Sequence, residues 1–104
     1  MKTGIELIAE ERQRQIDEEG WTLEHDSFHS KGELAAAASC YAYPQYDEVK
    51  AHVSVLLGNK PIPENWPFDA EWWKPKDELR NLIRAGALIA AEIDRLQNEN
   101  PTTI

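Results

Sequence analysis

Residues 77–97 read "DELRNLIRAGALIAAEIDRLQ", and the fold follows from how these side chains distribute around a helix. At about 100° per residue, Leu79, Leu82, Ile83, Gly86, Ile89, Ala90 and Ile93 form one stripe. Ala85 and Leu88 widen it, and Glu78, Asn81 and Glu92 fall inside the widened arc. A helix so broadly apolar needs neighbours on two sides, within a bundle or across a dimer. Polar groups inside the arc must be paired, bind something, or sit at its wet edge. Gly86 costs about 1 kcal/mol against alanine in mid-helix, which points to close helix packing there. Pro75 suits the first turn, and the helix is expected to continue to about Gln97.

The rest of the chain reads the same way. Thr3 and Glu6 have capping-box spacing, and Gly20 can end the helix they begin. Ile5, Ile8, Ala9 and Ile16 give that helix an apolar stripe, and "EERQRQIDEE" gives it a charged outer face. Residues 21–29 are expected to form a polar loop. A second helix over 30–43, stopped by Pro44, is apolar nearly all round and is expected to be central. A third is expected across "YDEVKAHVSVLLG" (46–58). Residues 58–74, "GNKPIPENWPFDAEWWK", carry three tryptophans and read as an ordered loop, since exposed aromatics on a bare linker are costly. Alternating strand patterns do not occur. The expectation is an all-α, four-helix bundle-like fold, dimeric or higher, most simply a two-fold dimer.

Composition narrows the function. The 104 residues favour one domain with one modest core, here 1–97, followed by a fraying tail over 98–104. The formal charge is -8 and the pI about 4.8. That disfavours general binding to DNA or RNA, which relies on basic side chains at phosphates. It leaves room for small phosphate ligands held through Mg²⁺, which prefers carboxylate ligands. One cysteine, Cys40, cannot form an internal disulfide, and no apolar run approaches a membrane span. A cytoplasmic protein is the expectation.

Candidate chemistry concentrates in "WTLEHDSFHSKGEL" (21–34) and at the start of the last helix. His25, Asp26 and His29 are possible metal ligands, since imidazole and carboxylate are common ones. The plain alternatives are that Asp26 caps a helix and the histidines are loop residues. Glu33 is a candidate Mg²⁺ ligand, but Ser30 to Glu33 also has capping-box spacing. Glu78 and Asn81 share a helix face, and Asp77 with Glu78 also suits the positive end of the helix. Trp21, Trp66, Trp72 and Trp73 are candidates for a wall on which a base stacks, or for packing a loop onto the bundle. Cys40 reads as a small core residue.

Two stretches, "ERQRQIDEEGWTLEHDSFHSKGELAAAASCYA" (11–42) and "WPFDAEWWKPKDELRNLIRAGALIAAEIDRL" (66–96), resemble a family of small phage and prophage proteins of unassigned function. The order "WT-x-EH…GELAAAA" then "DELRNLI" is also similar to the MazG-like all-α nucleotide pyrophosphohydrolases. That resemblance implies a helix carrying ExxE and a later one carrying ExxD, which bind Mg²⁺ and a nucleoside triphosphate. Glu33 falls in the first motif, and Glu78 with Asn81 in the second. Ala36 stands where the second glutamate belongs, and Asn81 where the aspartate belongs. In the enzyme reading, Glu33, Glu78 and Asn81 hold Mg²⁺, and Asp26 or His29 is the base. Trp21 and Trp73 stack the nucleotide, and Lys74, Lys76 or Arg80 meets its phosphates. The leading expectation is thus a nucleotide-binding helical protein that hydrolyses a triphosphate to monophosphate and pyrophosphate. The alternatives are a non-catalytic phage protein that binds a host protein or sequesters a nucleotide signal, and a helical oligomer with no small ligand.

Overall fold

The structure, a computed structural model, describes residues 1–43 and 62–99. The helix expected over 46–58 and the last five residues lie outside that range. Among the described residues are four α-helices and no strand: α1 (Gly4–Glu19), α2 (Leu23–Asp26), α3 (Glu33–Ala42) and α4 (Glu78–Glu99). A 3-10 turn spans Ala70–Trp72. The all-α expectation holds. No described helix is long and apolar enough to cross a membrane.

Local chemistry explains the helix ends. Thr3 and Glu6 form the expected capping box, and Gly20 closes α1 in the left-handed region at φ 71°. The loop expected over 21–29 instead contains α2, capped by the Thr22 hydroxyl on the His25 N–H. α3 starts later than expected, after Gly32 in the left-handed region. Glu33 reaches back to the Lys31 N–H at 2.6 Å, so the Ser30–Glu33 capping box is not formed. α4 begins after Asp77, whose Oδ1 accepts the Arg80 N–H at 2.8 Å, so Pro75 precedes the helix. It runs past Gln97 to Glu99, which takes Asn98 and Glu99 out of the expected tail.

The hub is α4, which packs against α1, α2 and α3; the 30–43 region, expected to be central, is one of its flanks. Both long neighbours run antiparallel to α4. Glu11 of α1 meets Arg80, while Ile8, one turn earlier, lies against Gly86. A Cβ at residue 86 would fall 2.5 Å from Ile8 Cδ1, which accounts for the glycine. On the other side, Tyr41 at the end of α3 lies under Arg84, with the guanidinium 5.3 Å from the ring. Glu33 at the start of α3 is close enough to Arg95 to favour its charge. The core cluster joins Leu34, Ala37, Ala38, Cys40 and Tyr41 of α3 to Ala85, Leu88 and Ala91 of α4, with Trp73 completing it.

Two expectations about faces are corrected. α4 buries Ile83, Ala85, Ala87, Leu88 and Ala91, together with Glu92 and Arg95. The aliphatic residues Leu79, Leu82, Ile89 and Ile93, expected to define the core stripe, are exposed. The small side chains win because α3 offers an alanine surface, and alanine against alanine lets two helices approach closely. α1 docks not through Ile5 and Ala9, which are exposed, but through Glu11 and Gln15, which are buried.

A buried carboxylate must be paired, and Glu11 is. Arg14 donates to both of its oxygens (2.8 and 2.7 Å), Arg80 to Oε1 (2.9 Å), and Arg84 approaches Oε2 at 3.9 Å. Burial alone would push the Glu11 carboxyl up. The Arg14 hydrogen bonds, with the charges of Arg14, Arg80 and Arg84, outweigh it and hold the carboxyl below its ordinary value.

Glu11→Gln is expected to cost about 1.5–3 kcal/mol, the range for hydrogen bonds to charged groups, read as a lower urea midpoint at unchanged slope. Since the folded value is depressed, the stabilisation is complete above the ordinary carboxylate value near pH 4.3 and is lost as pH falls through the folded value. Urea titrations from about pH 6 down to about pH 3 should therefore show a steeper loss for the native chain than for Glu11→Gln.

Candidate ligand-binding site

Where α1 ends and α2 begins, the chain opens a cavity of about 270 Å³ lined by Glu19, Trp21, His25, His29, Leu34, Phe68 and Trp72. This volume lies just below the usual range for small-molecule sites, and the lining is mainly aromatic. The rings are ordered by one another. Trp21 and His25 are parallel within 3° at 6.5 Å between centroids. His29 meets His25 edge to face at 5.1 Å and Phe68 edge to face at 5.2 Å. Such contacts fix ring orientation as well as adding stability.

The wall is braced from beneath by Asp26, which is fully buried. Arg12 of α1 donates one guanidinium nitrogen to Asp26 Oδ2 at 3.1 Å and the other to the Trp21 carbonyl at 2.9 Å. Asp26 Oδ1 lies 3.1 Å from His25 Nδ1. One arginine thus sets the backbone of the stacking tryptophan and, through Asp26, the plane of the histidine beside it. Asp26 is therefore an anchor, where the sequence offered it as a metal ligand, a helix cap or a general base.

His29 sits at the far side, with Nδ1 3.6 Å from Glu33 Oε2. Partial burial would push the Glu33 carboxyl up. The backbone N–H groups of Glu33 and Lys31 and the His29 ring outweigh that and hold it below its ordinary value.

A smaller recess of about 40 Å³ shares Glu19, Trp21 and Trp72 with the cavity and adds Gln15, Tyr41, Lys74 and Arg84. Lys74 Nζ lies 5.4 Å from the centre of the Trp72 ring. Arg84 donates to the Lys74 carbonyl at 2.7 Å. Two cations thus border the aromatic cavity at one edge.

The residues nominated from the sequence divide. Trp21, His25 and His29 line the cavity. Trp73 does not: it is in the core, tilted against Tyr41 at 4.8 Å and Trp66 at 5.0 Å. Trp72, its neighbour, takes the cavity position. Arg80 is committed to Glu11. Lys76 is exposed, and its backbone N–H and carbonyl are both bonded to the Asn81 amide, at 2.7 and 3.0 Å. Asn81 is thereby used at both ends of its side chain as a brace for the start of α4.

The expected Mg²⁺ set of Glu33, Glu78 and Asn81 does not assemble. Because α3 and α4 are antiparallel, Glu33 lies near Arg95, at the opposite end of α4 from Glu78, roughly 25 Å along the axis at about 1.5 Å per residue. Mg²⁺ ligands sit about 2.1 Å from the ion, so these two carboxylates cannot share one. Among the described residues no three His, Cys, Asp or Glu side chains are grouped to hold a metal ion.

Sequence reading missed Arg12, Leu34, Phe68 and the choice of Trp72 over Trp73. One signal was available: at three residues per turn, neighbouring side chains of a 3-10 turn diverge by about 120°, so an adjacent tryptophan pair at its end cannot both enter the core. No protein-family model, no curated protein and no solved structure matches this chain.

Cys40, in the last turn of α3, plays no part in the cavity. It is buried, and burial pushes its thiol above its ordinary value, with the Ser39 hydroxyl working the other way. Its Sγ donates to Asn65 Oδ1 at 3.2 Å. Because the thiolate is the reactive form, a thiol reagent at neutral pH is expected to modify Cys40 slowly in the native protein and fast in denaturant. Equal rates would show that this side of α3 is open.

Proposed function

We propose that this chain binds a nucleotide, with the base stacked in the Trp21–His25–Phe68–Trp72 cavity and the phosphate directed to Lys74 and Arg84. The observation that carries the reading is the cavity itself: parallel Trp21 and His25 rings on one side, with Phe68 and Trp72 completing an aromatic lining. Flat heteroaromatic ligands gain most from such walls, because every base has a face to stack. The adjoining cations supply charge for an anion without a bridging metal ion. The resemblance to all-α nucleotide pyrophosphohydrolases points to the same ligand class. The separation of Glu33 from Glu78 favours binding or sequestration over Mg²⁺-dependent hydrolysis. A cytoplasmic setting belongs to this reading and is supported by the single, buried cysteine.

Isothermal titration with purine and pyrimidine nucleotides tests the proposal. Binding is expected to persist in EDTA. Trp21→Ala or Trp72→Ala should weaken it by about 1–3 kcal/mol, roughly 5- to 150-fold in Kd. Absence of binding by every nucleotide at millimolar concentration would overturn the reading.

A further inference from the structure

Beside the cavity, α1 carries two acceptor atoms that the described residues leave unanswered. Gln15 is fully buried. Its Nε2 donates to Glu11 Oε2 at 3.3 Å, which turns Oε1 away from that carboxylate. Oε1 is itself buried and has no hydrogen-bond donor among the described residues. A buried acceptor left unpaired is costly and rare, so a fold that keeps one points to a donor from outside the chain. Gln15 lines the recess of about 40 Å³. One turn further along the same face of α1, Glu19 lines both that recess and the aromatic cavity. Arg14 holds the Glu19 carboxylate through Oε1, at 3.2 and 3.3 Å, and Oε2 carries no hydrogen bond among the described residues.

We propose that these two acceptors take the hydroxyls of a ribose, so that the site selects ribonucleotides over deoxyribonucleotides. The inference rests on the nucleotide reading above and adds the sugar to it. The order of groups along the wall matches the order of atoms in such a ligand. The base lies in the cavity. Glu19 stands at the border shared with the recess, beside Trp21 and Trp72, and Gln15 belongs to the recess alone. In a nucleotide the 2′ hydroxyl is next to the base-bearing carbon, and the 3′ hydroxyl follows towards the phosphate. The 2′ hydroxyl therefore donates to Glu19 Oε2 and the 3′ hydroxyl to Gln15 Oε1. Carboxylates are common partners of the ribose 2′ hydroxyl. The recess is too small for a sugar ring, yet exceeds the roughly 10–15 Å³ that one water-sized oxygen needs. A carboxylate only accepts, and the donor end of Gln15 is committed to Glu11. The pair thus takes hydroxyl donors and repels phosphate oxygens, which leaves the 5′ phosphate to Lys74 and Arg84.

Isothermal titration of the full chain in EDTA, with adenosine and guanosine 5′-monophosphates against their 2′-deoxy and 3′-deoxy counterparts, tests this. Each deoxy ligand is expected to bind about 10-fold more weakly, the loss of one hydrogen bond at the upper end of the usual range. Glu19→Ala, at an exposed position at the end of α1, should abolish the 2′-deoxy penalty and leave the 3′-deoxy penalty in place. Gln15 is probed through the ligand, because its amide also supports Glu11 and its replacement could unsettle the fold. Equal binding of a ribonucleotide and either deoxy form, or a 2′-deoxy penalty that survives Glu19→Ala, would overturn the inference and leave the nucleotide reading standing. Binding by none of these ligands would overturn both.

Discussion

Glu11 is the constraint on which the rest depends. A carboxylate cannot be sealed from water unless its charge is answered, and here the answer comes from two helices: Arg14 on α1, and Arg80 and Arg84 on α4. An apolar contact would tolerate sliding or rotation of α1 on α4. Directed hydrogen bonds from arginines to one carboxylate do not, because small displacements leave a buried charge unpaired. The pair is locked in register, and Ile8 against Gly86 closes it one turn further on.

That register delivers the cavity. With α1 fixed, its last turn presents Glu19, and the turn after Gly20 presents Trp21. Arg12, on the same helix as Glu11, then reaches Asp26 and the Trp21 carbonyl and holds α2 against α1. The opposite wall comes from the 62–73 segment, which is pinned to α3 rather than to α1. Asn65 bonds to Ser39 and Cys40, Trp66 and Trp73 pack on Tyr41, and the Tyr41 hydroxyl accepts the Lys74 N–H. The cavity is thus a gap between two separately anchored walls, each resting on α4. Rigid walls of this kind bind flat ligands with little ordering cost.

The sequence disclosed local features well and spatial ones poorly. The capping box of Thr3 and Glu6, the left-handed Gly20, the all-helical pattern and the close approach at Gly86 were legible, because each depends on residues near in sequence or on one steric fact. The orientation of α4 was not. Hydrophobicity favoured Leu79, Leu82, Ile89 and Ile93 as its inner face, whereas packing chose the side carrying Ala85, Leu88 and Ala91, which lets α4 approach the Ala-rich α3 closely. Convergence of Glu33 with Glu78 required two helix starts at one end of the bundle. Helix direction is a tertiary property, and α3 and α4 turn out antiparallel. The role of Asp26 was hidden because its partner Arg12 lies on another helix. At the site, Trp21, His25 and His29 were singled out from the sequence, while the aromatic crowding of the 58–74 loop obscured Phe68 and left Trp72 undistinguished from Trp66 and Trp73.

The central claim is that Trp21 and Trp72 form a ligand wall while Trp66 and Trp73 are structural. The four indole N–H resonances of a proton–nitrogen correlation spectrum report on this directly. On titration with a purine nucleotide in EDTA, the Trp21 and Trp72 signals are expected to shift together with saturation, while those of Trp66 and Trp73 hold nearly still. If no indole moves, or if Trp66 and Trp73 move while Trp21 and Trp72 do not, the cavity is not the binding site and the account fails.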